Sequence, residues 1–534
     1  MKKVSKSRLL IVLLIALVLI VGCVVWVLLP GEGASGSGAT TDAPTLGSTA
    51  STTIPTTGAT TGSTDPSVPA SIADALPDYT YAGNFVDLYD MGADGWYYTK
   101  KSKVDTEKNI DPLLNGKPIV DDLGGGLMYV YSKATKSGFT DYRGDLEKAG
   151  YRLYAENDLG GNLFATYINS DYVVTLSYLP NVKRQLCILI EPMRALPGLK
   201  EENVYEDLGI QSSVTVVTCS FIGNPNGQCI IYQLCDGSFI LSDAGYGYGY
   251  HPGGSKGDGY ADYWQNQAHE IYNTLMTLLP EGQEKPVIAG WFFSHPHWDH
   301  IGGLSVFAEH YGDDVIVEKI ILNHPNRETI QQLWRTNATI NITYVRLMQE
   351  AAAKFEGVSM IEAHAGQTYY IRNAEIDILC TWELQTECSD TWVSVNEGNS
   401  ASVVLDLKIE GERMILFGDC GASENLLMQQ MYIGDFLKAD FVQPAHHGYN
   451  DLRVLYGRID ADVAIWPEKN AVSMDSHNAV LADLDIYAHG EGITYIPLPY
   501  AGDGSKTIWD GTSPIHESKK VLYWDAVYPI FGKN

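Results

Sequence analysis

The chain has 534 residues, 36 basic against 65 acidic, a formal charge of −29 and 33 tyrosines. That length exceeds one ordinary domain, and the acidic excess argues against a surface built to neutralise nucleic-acid phosphates. The eight cysteines stand singly at 23, 187, 219, 229, 235, 380, 388 and 420, with no CxxC pair and no dense disulfide framework, so no pairing is assigned.

Lys2, Lys3, Lys6 and Arg8 form a basic segment, residues 1–8, ahead of the apolar run LLIVLLIALVLIVGCVVWVLL at 9–29. At a rise of about 1.5 Å per residue, a helix of that length crosses a bilayer core of roughly 30 Å. The flanking positive charge predicts a cytoplasmic N-terminus, a single-pass anchor in the cell membrane and an extracellular remainder. Within the run, IVGC resembles a lipoprotein box that would make Cys23 the lipid-bearing residue, although the apolar stretch continues beyond it. A cleaved signal peptide has a shorter core and a small-residue cleavage site. All three readings export the bulk of the chain and predict a small-molecule or cell-envelope substrate.

Residues 30–76 are Gly, Ser, Thr, Ala and Pro with no Lys or Arg. Such a composition buries no core and predicts a disordered linker spanning roughly 35–40 Å. Residues 77–205 read as a small α+β domain. In FTDYRGDLEKAG, Phe139, Tyr142 and Leu146 fall at helical spacing and Gly150 ends the helix. NLFATYI, YVVTLSYL and QLCILIEP then read as consecutive strands. The tyrosines of this segment read as core and cross-strand pairs, with a carbohydrate- or choline-contacting face as the alternative.

From residue 206 to about 512 strands alternate with helices. SSVTVVTCSFIG, GQCIIYQLC and SFILSDAGYG are short apolar strands, the last closing on Asp243-Ala244-Gly245. A helix is predicted over 261–279, followed by the strand PVIAGWFF. The loop after that strand carries His295, His297, Asp299 and His300, then Gly302-Gly303. Alternate residues of an extended segment project to one side, so His295 and His297 can share one ion. Asp299 and His300, at the turn into the next helix, face a second. Imidazole and carboxylate suit zinc, with manganese or iron as alternatives. Further ligands are expected at other strand ends: Asp419 after RMILFG, and His446 and His447 after DFVQPA. Residues 513–534 form a C-terminal extension.

The series SHPHWDHIGGL, RMILFGD and ADFVQPAHHG resembles the metallo-β-lactamase superfamily, and most nearly its competence-protein and phosphorylcholine esterase branches. That resemblance implies a four-layer αβ/βα sandwich with two metal ions at one edge. His295 and His297 would hold the first ion, Asp299, His300 and His447 the second, and Asp419 would bridge. Asp299 would also orient the attacking hydroxide, while His446 or His324 would stabilise an oxyanion or protonate the leaving group. A further histidine in a Pro-Gly-His turn completes the first site in many members. This chain offers only His310, His324 and His364 between Gly303 and Asp419, and none has that context. His310 reads as surface, His324 as a residue at the cleft edge and His364 as structural; the resemblance allows an acidic residue to substitute, with Glu383 the candidate, and a water-completed or metal-poor first site is the alternative. The implied activity is metal-dependent hydrolysis, with phosphodiesters or phosphoesters favoured. Lactone or amide hydrolysis, and envelope-ligand binding beside a degenerate metal domain, are the competing readings.

Overall fold

The computed structural model describes residues 72–90, 126–217, 227–245, 260–324, 345, 347–386, 388, 398–466, 478–488, 493–502 and 521–522. The predicted basic segment, membrane anchor and nearly all of the linker lie outside these residues. Among the described residues no helix is long and apolar enough to cross a membrane.

The N-terminal domain is a six-stranded antiparallel sheet with one helix. Its elements are β1 (Asn84–Asp90), β2 (Leu127–Ser132), α1 (Lys136–Lys148), β3 (Arg152–Leu159), β4 (Asn162–Ile168), β5 (Tyr172–Leu179) and β6 (Gln185–Pro192), in sheet order β1-β2-β6-β5-β4-β3. Helix α1 starts where the Thr135 side chain accepts from Gly138 N, satisfying one of the orphan donors of its first turn. Its Phe139, Tyr142 and Leu146 are buried. They pack with Tyr167, Val174, Leu176 and Ile188 on one sheet face. Described structure begins at Ile72, inside the predicted linker, and Ile72, Ala75 and Leu76 pack against this core.

Alternate residues of the same strands face the opposite way, and that face is covered by the second domain. Leu159, Phe164, Leu179 and Val182 join a core containing Leu384, Met431 and Tyr432. Asn162 Nδ2 donates to Met431 O at 3.0 Å across the junction.

The second domain begins with β7 (Ser213–Val216), β8 (Ile230–Gln233), β9 (Phe239–Ser242), α2 (Tyr260–Leu278), β10 (Val287–Phe293), α3 (Trp298–Ile301), α4 (Gly303–Tyr311), β11 (Ile316–Val317), β12 (Lys319–Leu322) and β13 (Ser359–Glu362). It continues with β14 (Thr368–Ile371), β15 (Ala374–Cys380), β16 (Val404–Ile409), β17 (Glu412–Leu416), α5 (Ala422–Met431), β18 (Phe441–Gln443), α6 (Arg453–Ile459), β19 (Val463–Trp466), β20 (Asp485–Ala488), β21 (Ile493–Pro497) and β22 (Val521–Leu522). One sheet runs β13-β12-β10-β9-β8-β7-β21-β22 with β11 beside β10, and the other β14-β15-β16-β17-β18-β19-β20. Both mix parallel and antiparallel pairs. Strand β22, in the predicted C-terminal extension, pairs with β21.

Three apolar layers give the order of packing. Phe239, Leu241 and Trp291 pack with Leu275 of α2 and Leu304 and Phe307 of α4. Tyr232, Ile240, Phe292 and Ile321 meet Ile376, Leu405, Met414 and Leu416 between the sheets. Ile415, Phe417 and Val442 pack under Leu427 and Met428 of α5 and Leu455 and Ile459 of α6. The order is helices, sheet, sheet, helices. Strand β10 runs parallel to β9, and β17 runs parallel to β18, so the C-terminal ends of β10, β17 and β18 bring the chemistry-bearing loops together.

Candidate metal centre

The loop after β10 places His295 and His300 in full burial, with His297 and Asp299 partly exposed. Asp419 follows β17 and His446-His447 follow β18. These strand ends are bound to one another: Val403 N donates to Ser294 O at 2.8 Å and His446 N to Gly418 O at 3.0 Å. Gly418 has φ +55°, and a Cβ there would lie 2.6 Å from the Ser294 Cβ, so only glycine lets the two loops approach.

One ligand atom from each of His295, His297 and Asp419 lies within 4.8 Å of the others, and the same holds for Asp299, His300 and His447. Asp419 stands against both groups. Its Oδ2 faces His295 Nε2 at 3.6 Å and His446 Nε2 at 3.7 Å, while its Oδ1 faces His300 Nε2 at 3.2 Å and His447 Nε2 at 3.8 Å. Asp299 Oδ2 is 3.7 Å from His447 Nε2.

Asp243, at the corner that ends β9, organises the imidazoles. It is fully buried at φ +60°, a left-handed conformation that aspartate tolerates better than most residues. Its carboxylate accepts from Ser294 N at 2.8 Å, from Ser294 Oγ, from Gln228 Nε2 at 3.1 Å and from His300 Nδ1 at 2.8 Å. The single hydroxyl proton of Ser294 is thereby used, so Ser294 Oγ accepts from His295 Nδ1 at 3.0 Å. This network assigns a proton to Nδ1 of both His295 and His300 and turns both Nε2 lone pairs toward Asp419. Sequence reasoning read Asp243 only as a turn. The available signal was an aspartate ending an apolar strand with no visible partner.

The His446-His447 pair occupies two successive left-handed residues, φ 51° and 54°, a cost of about 1–3 kcal/mol each. Surrounding bonds hold the turn: Ala445 N to Tyr456 Oη at 2.9 Å, and Trp466 Nε1 to His447 O at 2.9 Å. His447 is buried, whereas the His446 side chain is one-third exposed, with Nδ1 held by Asn450 Oδ1 at 3.1 Å. Asn399 Nδ2 lies 3.3 Å from the same nitrogen. The backbone of Gly398 covers His297 so closely that a Cβ would fall 2.2 Å from its Nε2.

Electrostatics fit a cation. Burial lowers His295 far below the usual imidazole value and brings His297 to about 4, so both are neutral ligands at physiological pH. Burial alone would also lower His300, but Asp419, Asp243 and Asp299 outweigh it and raise the group well above its ordinary value, so a cation binding at Nε2 would displace a proton from that nitrogen. Burial would raise Asp419, yet the surrounding imidazoles hold it well below the carboxylate range. His295 Nε2, His300 Nε2 and Asp419 Oδ1 make no hydrogen bond among the described residues, and leaving such buried groups unsatisfied costs about 1–3 kcal/mol apiece. A donor set of imidazole nitrogens and carboxylate oxygens, with lone pairs converging on one space, suits divalent zinc, manganese or iron.

Residues 263–361 match the Metallo-beta-lactamase superfamily family. The chain carries a metallo-β-lactamase superfamily domain. With its buried histidine and aspartate groups, this domain is consistent with a metal-dependent hydrolase. No curated protein matches the chain. Among solved structures, the metallo-β-lactamase fold protein YhfI from Bacillus subtilis is similar at 12% identity and a TM-score of 0.30, over 53% of this chain and 99% of that one. CmlA, a diiron β-hydroxylase from Streptomyces venezuelae, is similar at 13% identity and a TM-score of 0.25, over 48% of this chain and 44% of that one. A mutant of CmlA β-hydroxylase gives 12% identity and 0.28 over 54% of each chain, so the match spans about half of that protein.

Two sequence expectations fail at the centre of the metallo-β-lactamase domain. Glu383 does not reach His295 and His297. The chain turns after β15 into a short helix, and both Glu383 oxygens accept from Asn323 Nδ2 at 2.8 and 2.9 Å, with His364 Nδ1 at 2.8 Å from Oε1. His324 is fully buried beyond the end of β12, and burial pushes it down to about 3. At neutral pH it has no imidazolium proton to give. Exposed His310 packs against His269 on α2, and His364 is structural, lying between Glu383 and Glu191.

Proposed function

We propose that this chain is a membrane-anchored, extracytoplasmic hydrolase that uses two divalent cations, zinc foremost, on phosphodiester or phosphoester substrates. The observation that carries the dinuclear part is the division of Asp419, one carboxylate oxygen toward His295 and the other toward His300 and His447. His295, His297 and Asp419 would hold one cation and Asp299, His300 and His447 the other. When bound, the cations supply Lewis acidity toward a scissile phosphoryl or carbonyl group and bring the pKa of water toward neutrality.

The chain's own groups do the rest. Asp299, partly exposed beside His447, orients the attacking water and accepts its proton. The His446 side chain is one-third exposed, and Asn450 fixes its Nδ1 so that Nε2 faces Asp419. It delivers a proton to the departing oxygen. The absence of a Pro-Gly-His ligand and the likeness of the motifs to phosphorylcholine esterases support the phosphoester preference. The run at 9–29 with its basic flank supports the anchor.

The test is metal analysis of the purified protein, followed by turnover of bis-p-nitrophenyl phosphate, p-nitrophenyl phosphorylcholine and nitrocefin by wild type, Asp299→Ala and His297→Ala. Two equivalents of metal and phosphoester turnover lost in both variants are expected. Turnover unaffected by both would refute the dinuclear site, and nitrocefin turnover alone would move the substrate to amides.

A further inference from the structure

A second cavity, of about 210 Å³, lies in the seam between the two domains and shares no residue with the histidine–aspartate groups. Its floor is the β4–β5 face that turns away from α1, where Thr166 and Thr175 are direct cross-strand partners. Its walls are Tyr154, Asn157, the 197–201 loop, and the 365–370 segment leading into β14. Elsewhere this sheet face supplies Leu159 and Leu179 to a packed apolar core. At the cavity it supplies the Phe164 ring and the hydroxyls of Thr166 and Thr175.

Two polar atoms there are buried with no hydrogen-bond partner among the described residues: Thr175 Oγ1 and Gln367 Nε2. Their residues are 7% and 6% exposed, and both line the cavity. The Gln367 amide is not free to turn over, because its Oε1 accepts from His364 N at 3.0 Å and from Tyr369 Oη at 3.2 Å. Its NH₂ group is therefore fixed in orientation, with its donors unspent. A cavity this large holds about seven waters at roughly 30 Å³ each, far more than two stranded atoms require.

We propose that this cavity binds a neutral, hydroxylated molecule the size of one sugar ring. Charged residues, Glu156, Lys200 and Glu201, are exposed at its rim, while the buried lining is uncharged. That excludes an ionic ligand held at depth, since a buried charge needs a buried counter-charge. Tyr154 and Tyr370 offer flat rings of the kind that take up amphipathic ligands. The Tyr154 hydroxyl is bound to Pro197 O at 2.5 Å, and the Lys200 ammonium lies 5.3 Å from the Tyr370 ring centre, so both rings are held in place. A few placed polar groups in an otherwise enclosed pocket fix orientation: the Gln367 amide donates to a ring substituent, and the Thr175 hydroxyl exchanges a hydrogen bond with another.

The experiment is ligand-observed NMR with calorimetry on the full chain in detergent, titrated with D-glucose and N-acetyl-D-glucosamine. Wild type should bind at least one saturably. Thr175→Val and Gln367→Leu should each weaken binding about fivefold or more, as the loss of one hydrogen bond predicts. The thermal midpoint of Thr175→Val should stay equal or rise, because it removes an unsatisfied buried hydroxyl, whereas Gln367→Leu also strands the donors of His364 N and Tyr369 Oη and should melt lower while still folding. Gly198→Trp supplies a block at the rim. Gly198 has an ordinary backbone conformation, and only Glu202 Oε2, at 3.7 Å, lies near its absent side chain. This variant should fold, keep its metal and lose the sugar. No saturable binding of either sugar by wild type, or sugar binding by Gly198→Trp equal to wild type, overturns the proposal.

Discussion

Asp243→Asn is the sharpest perturbation of the metal centre, because it changes one charge and almost no volume. Every group facing this carboxylate is a donor: Ser294 N and Oγ on one oxygen, His300 Nδ1 and Gln228 Nε2 on the other, at 2.8–3.1 Å. An asparagine must set its NH₂ against one of these pairs whichever way it turns. Facing Ser294, it breaks the hydrogen bonds that shape the loop of ligands. Facing His300, it favours the tautomer whose proton sits on Nε2, the nitrogen that turns toward Asp419.

Loss of such a supporting carboxylate reduces metal affinity by about 10–100-fold, or about 1.4–2.8 kcal/mol. Competition against a graded series of chelators should show the ion of the Asp299–His300–His447 group leaving first, while the His295–His297 group retains its own longer. Circular dichroism should show an intact fold. Equal affinity and stoichiometry in Asp243→Asn and wild type would refute the assignment of His300 as an Nδ1-protonated ligand.

His364→Ala should destabilise the fold by about 3–5 kcal/mol in urea titration, because it leaves Glu191 and Glu383 buried without their shared partner. Burial alone would lower His364, but Glu191 and Glu383 outweigh it and raise the group well above its usual value. Its contribution is therefore whole below about pH 6.5 and fades as pH rises through the raised value, so the variant should flatten the alkaline limb of a stability–pH profile. His446→Ala should cut kcat by about 10²–10⁴-fold with metal content unchanged; a wild-type kcat would remove it from proton transfer. Deleting residues 72–205 should yield insoluble protein, and a soluble truncation melting at the wild-type temperature would show the domains to be independent.

What the letters disclosed at the centre was whatever sits within one loop or directly at a strand end. His295, His297, Asp299 and His300 are contiguous, and Asp419 and His446-His447 each close an apolar run, so local spacing was enough. Asp243 was not visible as a partner because its bond to His300 spans 57 residues and depends on a left-handed corner. Glu383 was misassigned for a related reason. An acidic residue at a strand end has the right chemistry for a ligand, but its actual partners, Asn323 and His364, come from other strand ends. In the N-terminal domain β4, β5 and β6 follow the predicted runs, because alternation and turn residues are local signals. The pairing of β22 into the larger sheet was not, since two residues carry no periodicity.

The misassigned glutamate also explains why the N-terminal domain belongs to this enzyme. Glu191 on β6 reaches across the seam to His364 Nε2 at 2.9 Å, and His364 Nδ1 meets Glu383 at 2.8 Å. Arg194 pairs with Glu191 at 3.2 Å and with Glu362. Three carboxylates and two cations thus interlock across two domains: the N-terminal side keeps the pair Glu191–Arg194, while the other keeps two carboxylates, Glu362 and Glu383, on the single cation His364 and is left with excess negative charge when the seam opens. Buried ion pairs of this kind add little net stability but cost several kcal/mol when one member leaves, so they penalise separation. The same seam buries Leu159, Phe164 and Leu179 and fixes the Gln367 amide through the backbone of His364. A joint that is polar, enclosed and costly to open is unsuited to a flexible tether and well suited to holding a shaped cavity at constant geometry beside the hydrolase domain.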